Sequence, residues 1–293
     1  MTDLVFSILT NSAIYLLFKW YQQLGIRIFP AIVINYITAF SLGLLLIPDP
    51  HLALSAAMEW PIWMTGGLAL GVIFISIFYL MAITAQRVGV AVSTIASKMS
   101  LALAALLFVW ADPTEHLGWV KSLAIVLAIG GVVFSSMKEG ALSFDRSMLI
   151  WPLLILFGST IIDFGIAWLS KFVTNESERT LFSCLSFCTA GMVGISILFI
   201  QRMRGKSGLG WKEAVAGVFL GLVNFGSIFF LVRAYNSGLL PMSSLLPVNN
   251  LSVVLVGALG AIILFRERLS AKNWIGVALS VLALVLLLGE RSQ

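Results

Sequence analysis

The sequence predicts an all-α polytopic membrane protein with ten transmembrane helices, arranged as two inverted five-helix repeats. The prediction rests on composition, on the number of long apolar segments and on similarity between the two halves of the chain. Of the 293 residues, 60% are apolar and 11% are charged, and the mean hydropathy is +1.03. A soluble domain carries about 25% charged residues. This composition therefore excludes soluble enzymes, nucleic-acid-binding modules and disordered proteins.

Ten apolar segments are long enough to cross a bilayer as helices, which takes about 20 residues each. The clearest breaks between them are Pro48-Asp49-Pro50, Asp112-Pro113-Thr114-Glu115 and Lys138-Glu139-Gly140, and the weakest are Arg87 and Asn236-Ser237-Gly238. We predict spans at residues 2–18, 29–48, 60–85, 88–110, 117–137, 148–173, 178–201, 211–236, 240–265 and 272–289. The loops between them leave no room for a soluble domain.

The two halves of the chain resemble each other. A shift of 150 to 152 residues places Asn35-Tyr36-Ile37-Thr38-Ala39 on Ser186-Phe187-Cys188-Thr189-Ala190, Gly67 and Gly71 on Gly217 and Gly221, and Asn11 on Asp163. We therefore predict a first five-helix repeat at 1–140 and a second at 147–293. Because five is an odd number of crossings, the second repeat is inverted. Inverted repeats are typical of transporters whose site lies near the membrane midplane.

The distribution of basic residues predicts the orientation. Twelve lysines and arginines lie in odd-numbered loops, and four lie in even-numbered loops or at the termini, namely Lys121, Lys171, Arg179 and Arg291. Cytoplasmic loops carry the excess of basic residues. We therefore expect a multi-pass protein of the cell (inner) membrane with both termini outside, and the basic pI of about 9.4 reflects this topology.

Two charged side chains fall near the middle of predicted spans, whereas the other charges lie at span ends or in loops. Lys98 lies about 16 Å from either end of span 4 at 1.5 Å per residue, too deep for its side chain to reach the interface. Asp163 lies at comparable depth in span 6. A charge at this depth costs about 2.5–3.5 kcal/mol or more. The two residues form either a static pair, or a pair that is broken by protonation or by a charged substrate. Because burial favours the neutral form of a carboxyl group, Asp163 is the candidate proton-coupling residue.

Asparagines at repeat-related positions extend this candidate site. Asn11 is the counterpart of Asp163, and Asn249 or Asn250 is the counterpart of Lys98. Polar positions that map onto each other in the two repeats are expected to face one cavity. We therefore include these three asparagines among the substrate-binding residues.

Several other intramembrane residues have two interpretations. Pro247 breaks span 9 beside a binding site, or it is a packing kink. Asn35 and Asn224 either orient a substrate or form an interhelical hydrogen bond. Tyr79 and Trp168 either line a cavity or pack against neighbours. The predicted substrate-binding set is Lys98, Asn11, Asn35, Asn224, Asn249, Asn250, Trp168 and Tyr79.

Glycines and tryptophans carry structural predictions. We expect glycines to allow close helix approach at Gly66, Gly67, Gly71, Gly130, Gly131, Gly217 and Gly221. Tryptophans near the span ends are expected to form an interfacial belt, namely Trp60, Trp63, Trp110, Trp119, Trp151 and Trp274.

The sequence contains no recognisable enzyme motif. The histidines, His51 and His116, fall in predicted loops, and no metalloprotease, nucleophile-elbow, phosphate-loop or paired-carboxylate pattern is present. We therefore expect no enzymatic activity, no cofactor and no metal site.

The second half resembles the drug/metabolite transporter superfamily in its EamA-like branch. The resemblance rests on Pro247 in span 9, on Phe265-Arg266-Glu267-Arg268-Leu269 after it and on Gly276 in span 10. The first half departs from this pattern, because Asp112-Pro113 stands where Glu-Arg is typical and Lys98 interrupts span 4. The resemblance implies a central cavity walled by spans 1–4 and 6–9, alternating access without ATP, and a homodimer contact through spans 5 and 10.

These observations favour a secondary active transporter of a small polar metabolite, carboxylate-bearing or zwitterionic, with possible coupling to protons. Its partners are then the substrate, protons and membrane lipids, with no nucleic acid. One alternative is an exporter of amphipathic or cationic compounds, in which Asp163 is the counter-charge. A second alternative is a non-transporting membrane scaffold.

Overall fold

The computed structural model describes residues 2–111, 118–137, 146–205, 208–236 and 242–291. Helices account for 88% of these residues, and none of the described residues lies in a strand. The predicted breaks at 112–115, 138–140 and 237–238, together with His116, lie outside this part of the chain. The all-helical class is confirmed.

The described residues form twelve helices. They are α1 (Thr2–Gln23), α2 (Ile28–Leu45), α3 (Pro50–Met58), α4 (Ile62–Arg87), α5 (Val90–Lys98), α6 (Ser100–Ala111), α7 (Trp119–Ser135), α8 (Arg146–Ser170), α9 (Glu176–Met203), α10 (Trp211–Asn236), α11 (Met242–Phe265) and α12 (Ala271–Arg291).

Eight segments in the described chain are long and apolar enough to cross a membrane. Seven of them lie in the single helices α1, α2, α4, α8, α9, α10 and α11, and the eighth, Val90–Ala111, combines α5 and α6. Helices α7 and α12 contain the shorter apolar segments Trp119–Ser135 and Ala271–Leu287. The number of ten spans, the inverted repeats and their boundaries remain predictions.

Helix α3 lies where the sequence predicted a loop. Asp49 precedes the helix, and its side chain accepts hydrogen bonds from the backbone N–H groups of His51 and Leu52, each at 3.0 Å. Pro50 occupies the first helical position, where its missing N–H removes no helical bond. The Asp49-Pro50 pair, interpreted as a break between spans, is thus also a helix start signal.

The predicted span 4 is interrupted at Met99, directly after Lys98. Helix α5 ends at Lys98 and α6 begins at Ser100. The N–H of Ala102 bonds to the carbonyl of Met99 (3.1 Å), three residues earlier instead of four. Pro247, by contrast, lies inside the uninterrupted helix α11. The interruption at Met99 was not predicted from the sequence.

The chain divides into two compact units, and the division falls within four of the helices. Unit 1 comprises Met1–Trp20, Leu80–Phe164 and Gly226–Gln293. Unit 2 comprises Tyr21–Tyr79 and Gly165–Phe225. Each unit has its own packing.

Helices α7 and α12 pack closely in unit 1, and α11 packs against both α12 and α5. A Cβ atom added to Gly131 would lie 3.1 Å from the Gly276 carbonyl and against the Ser280 hydroxyl. The start of α12 also caps the end of α7, because the Asn273 amide donates to the carbonyls of Ser135 (2.6 Å) and Met137 (3.0 Å). Gly130, in contrast, would meet only Leu279, at the ordinary distance of 3.5 Å.

Glycines bring α4 close to α9, and α10 close to α2, in unit 2. A Cβ atom at Gly71 would collide with the Ser186 carbonyl, and one at Gly67 would lie 3.4 Å from the Phe182 carbonyl. The close approach predicted at these two glycines is confirmed.

The repeat-related glycines make the corresponding contacts. A Cβ at Gly217 would lie 2.6 Å from the Ala31 carbonyl, and one at Gly221 would lie 2.8 Å from the Asn35 carbonyl. A shift of 150 residues aligns Gly71 with Gly221, and a shift of 151 residues aligns Asn35 with Ser186. Equivalent glycines therefore face equivalent carbonyls.

The tryptophan-belt prediction is wrong for Trp63. Its side chain is 1% exposed and belongs to a buried cluster of unit 2 with Met64, Leu70, Val173 and Phe182. The Trp63 and Phe182 rings meet edge to face, with their centroids 6.4 Å apart. Trp60, Trp110, Trp119 and Trp274 are exposed, as a lipid-facing belt requires.

Candidate functional site

Polar side chains gather in unit 1 where α5 meets α6. We call Tyr15, Ser97, Lys98, Ser100 and Asp163 the junction cluster. They come from α1, from the end of α5, from the start of α6 and from α8. Two of the residues predicted from the sequence, Lys98 and Asp163, are thus brought together at a helix interruption.

Asp163 is held by a hydroxyl group. Ser100 Oγ lies 2.5 Å from Asp163 Oδ2 and also 2.5 Å from the Ser97 carbonyl oxygen. Ser100 itself is 1% exposed. On the other side of the junction, the Thr160 hydroxyl, which donates to the Leu156 carbonyl at 2.7 Å, also lies 3.5 Å from the Ser100 carbonyl. The carboxyl group is therefore fixed by the residue that begins α6.

Lys98 is differently placed. Its side chain is partly buried, and it makes no hydrogen bond or ion pair within 4.0 Å to any described residue. The charges of Lys98 and Asp163 act on each other. The ammonium group is therefore near the carboxyl group without being bonded to it.

Tyr15 completes the junction cluster from α1. Its hydroxyl donates to Ser97 Oγ (3.0 Å), and its ring packs edge to face on Phe18. Asn11 lies one turn earlier on α1, so it shares the helix face of Tyr15. Asn11 is partly buried.

Asn249 and Asn250 lie buried on α11, also in unit 1. The Ser7 hydroxyl lies 3.1 Å from Asn249 Oδ1 and 3.2 Å from the Ser227 carbonyl. The amide nitrogen of Asn249 is buried and has no hydrogen-bond partner among the described residues. It is an unused donor.

The other predicted residues belong to unit 2. With its amide oriented to suit its neighbours, Asn35 donates to the Leu220 carbonyl (3.3 Å), and its nitrogen lies 3.2 Å from the amide nitrogen of Asn224. The bond to Leu220 joins α2 to α10, and an interhelical bond is one of the two interpretations that the sequence allows for Asn35. Tyr79 packs edge to face on Phe29 (5.2 Å), and the Lys171 ammonium lies over the Trp168 ring (4.7 Å).

Glu267, from the motif that carries the family resemblance, caps α5. Its Oε1 accepts from the N–H of Val90 at 3.2 Å, and a Cβ at Gly89 (φ +146°) would lie 3.2 Å from its Oε2. Burial raises the pKa of the Glu267 carboxyl, against the smaller lowering effects of the Val90 N–H and of Lys19. The Glu267 carboxyl group therefore accepts a hydrogen bond from the first turn of α5, the helix that ends at Lys98.

Sequence reasoning missed Tyr15, Ser97, Ser100 and Ser7. Serine and tyrosine are common in membrane helices, so their presence alone gives no signal. The one available signal was position, since Ser97 and Ser100 flank Lys98. No group of three or more histidine, cysteine or acidic side chains in the described chain is arranged to hold a metal ion.

The apolar helices and the charged groups among them define a multi-pass helical membrane protein. The EamA-like transporter family matches residues 149–289, from α8 to α12. On this segment the chain is similar to the EamA-like transporter family of the drug/metabolite transporter superfamily, and the resemblance drawn from the residues around Glu267 is confirmed. Members of this family are transporters.

Two further comparisons cover nearly the whole chain. An uncharacterized protein of Haemophilus influenzae strain Rd is 28% identical over 292 residues, which are 97% of this chain and 96% of that protein. One crystal structure superposes with a TM-score of 0.59 at 14% identity and covers 97% of this chain and 94% of its own. At this identity the likeness concerns the fold alone.

Proposed function

We propose that this protein is a secondary active transporter of a small polar metabolite that carries a carboxylate or another single negative charge. In this proposal Lys98 binds the negative group, Asp163 carries the coupling proton, and transport proceeds by alternating access. The observation that carries it is the contrast between the two charges of the junction cluster. Asp163 is bonded to Ser100, whereas Lys98 makes no hydrogen bond or ion pair within 4.0 Å to any described residue.

An unpaired ammonium group inside a membrane helix is unfavourable. A charged side chain at the centre of a helix costs about 2.5–3.5 kcal/mol on insertion scales. An anionic ligand would offset this cost by a charge-assisted hydrogen bond, which is about twice as strong as a neutral one. A lysine in this setting is therefore better suited to bind a substrate than to stabilise the fold.

The asparagines of unit 1 supply the remaining polar groups. The unused amide nitrogen of Asn249 is a donor for a second acceptor of the substrate, and we assign orienting roles to Asn250 and Asn11. In unit 2, Asn35 of α2 donates to the Leu220 carbonyl of α10, close to the amide nitrogen of Asn224. The substrate-binding role predicted for Asn35 and Asn224, and for Tyr79 and Trp168, remains a prediction.

Ten spans in two inverted repeats remain part of the proposal. The equivalent contacts of Gly71 and Gly221 support it, because a repeated packing arrangement is what two copies of one unit produce. We also propose, from the distribution of basic residues, that the protein lies in the inner membrane with both termini outside. The family resemblance supports a homodimer through spans 5 and 10, which correspond to α7 and α12.

Export of cationic compounds is the competing hypothesis. It requires the Asp163 carboxylate to be available to the ligand, but in this structure that group is engaged by Ser100. The free charge is the positive one, which favours an anionic or zwitterionic substrate.

The test is a ligand thermal-shift screen on the purified protein. Wild type and Lys98→Gln are melted with metabolites grouped as anions, zwitterions, neutral compounds and cations. A ligand that binds the folded state raises the melting temperature, and at 100 times its dissociation constant it adds about 2.7 kcal/mol. We expect anionic or zwitterionic compounds to stabilise wild type and to lose this effect in Lys98→Gln.

Lys272→Gln is the matched control, since it removes one lysine charge from the start of α12, away from the junction cluster. It should respond to ligands as wild type does. Stabilisation by cations that survives in Lys98→Gln would overturn the proposal and favour the exporter. A Lys98→Gln protein that is less stable but binds the anion normally would make Lys98 a structural residue.

A further inference from the structure

We propose that Ser100 is a positioning residue that joins the protonation state of Asp163 to the interruption between α5 and α6. The inference rests on the proposed function, because it deepens the role assigned there to Asp163. The observation behind it is that three oxygen atoms, namely Ser100 Oγ, Asp163 Oδ2 and the Ser97 carbonyl oxygen, lie close together with few hydrogens to share.

Ser100 Oγ is 2.5 Å from two oxygens, Asp163 Oδ2 and the Ser97 carbonyl. A hydrogen bond between oxygens spans about 2.5–3.0 Å, so both contacts lie at the short limit of this range. A serine hydroxyl has one hydrogen to donate, a carbonyl has none, and an ionised carboxylate only accepts. With Asp163 ionised, one hydrogen would have to serve two contacts, and one pair of oxygens would face each other without a proton.

Protonation of Asp163 resolves this shortage. The carboxylic O–H then donates to Ser100 Oγ, and the Ser100 hydroxyl donates to the Ser97 carbonyl. In this proposal the two short contacts belong to the neutral acid. The charged and titratable groups that act on Asp163 are Lys98 on α5 and Tyr15 on α1.

Loss of the proton changes the backbone contact. When the proton leaves Asp163 for water, the Ser100 hydroxyl turns to the new carboxylate, because a hydrogen bond to a charged acceptor is the stronger one. The Ser97 carbonyl then loses the Ser100 bond at the end of α5. Lys98 is the next residue, so the proton on Asp163 and the position of the substrate-binding ammonium group are linked through one hydroxyl.

The test is infrared pH-difference spectroscopy on the protein in lipid nanodiscs, with no substrate added. Wild type should show a carboxylic C=O band at acid pH that Asp163→Asn lacks. In Ser100→Ala this band should move to higher wavenumber, because the acid has lost its acceptor. Ser100→Thr, which keeps the hydroxyl, should retain the wild-type position. Absence of the band, or a band that Ser100→Ala leaves in place, would overturn the proposal.

Hydrogen exchange of the peptide 95–104 tests the same link without any change at Ser100. The Asn amide donates as the neutral acid does, so Asp163→Asn should keep at all pH values the protection that wild type shows at acid pH. Asp163→Ala should lose it. Equal protection in wild type at acid and neutral pH would contradict the link. Because neither readout involves a substrate, the result is independent of the ligand screen on Lys98.

Discussion

Three charged side chains of unit 1 differ in the contacts that they make. Lys98 makes no hydrogen bond or ion pair to a described residue, Asp163 bonds to a hydroxyl, and Glu267 bonds to a backbone N–H. We propose that the first arrangement leaves a charge for a ligand and that the second responds to a proton, whereas the third stabilises a helix start. The cost of burying a charge makes all three informative, but only their contacts distinguish the roles.

Glu267 leads to a prediction on the pH dependence of stability. Its pKa in the folded protein is raised above 4.5 by burial. The stabilising contribution of the neutral acid is therefore fully present below about pH 4.5 and is lost as the pH rises through the folded pKa. The loss is about 1.4 kcal/mol for each unit by which the folded pKa exceeds the unfolded pKa. Glu267→Gln cannot ionise, and it keeps an oxygen for the Val90 N–H.

The measurement is thermal unfolding of wild type and Glu267→Gln across a pH series. The stability of the variant relative to wild type should increase as the pH rises. Glu59→Gln, at an exposed position before α4, is the control for removing one carboxylate from the protein. A difference between wild type and Glu267→Gln that stays constant with pH would contradict this account of the cap.

At the scale of the helices, close packing depends on a few positions without a side chain. Gly71 on α4 and Gly221 on α10 each face a backbone carbonyl of a neighbouring helix, Ser186 and Asn35 respectively. A carbonyl cannot rotate away as a flexible side chain does. A methyl group at either position therefore forces the two helices apart.

We predict that Gly71→Ala and Gly221→Ala each lower the stability of the protein by about 1–3 kcal/mol, as overpacking does. Gly130→Ala is the matched control, because its Cβ would meet only Leu279 at 3.5 Å. It should be neutral, or slightly stabilising through helix propensity. The check is the melting temperature of the three variants in one detergent, and a Gly71→Ala protein as stable as Gly130→Ala would refute the packing argument.

At the scale of the whole molecule, composition and apolar segment length were sufficient to predict a helical membrane protein. Glycine spacing correctly indicated close helix approach at Gly67, Gly71, Gly217 and Gly221, because few other residues permit it. Helix α3 and the interruption at Met99 were not predicted, since each depends on local hydrogen bonds that competed with the apolar pattern. Trp63 was misplaced because nearness to a span end does not show which way a side chain faces.

The candidate site was predicted only in part, for a similar reason. Lys98 and Asp163 could be found because charge inside a membrane is unfavourable. Ser100 and Tyr15 could not, because a hydroxyl group satisfies itself within its own helix as readily as it binds a neighbour. Their roles follow from distances between α1, α5, α6 and α8 that the chain order does not contain.

Proton movement in sealed vesicles distinguishes proton-coupled transport through Asp163 from transport without coupling. The protein is reconstituted into vesicles that contain a pH-sensitive dye. The anionic metabolite found in the thermal-shift screen is then added, and internal pH and metabolite uptake are recorded together. The account predicts that wild type moves protons with the metabolite, whereas Asp163→Asn exchanges the metabolite without pH-driven uptake. Asp3→Asn, which removes a carboxylate paired with Arg233 at 3.3 Å, should behave as wild type. Unchanged proton-driven uptake in Asp163→Asn would contradict the account.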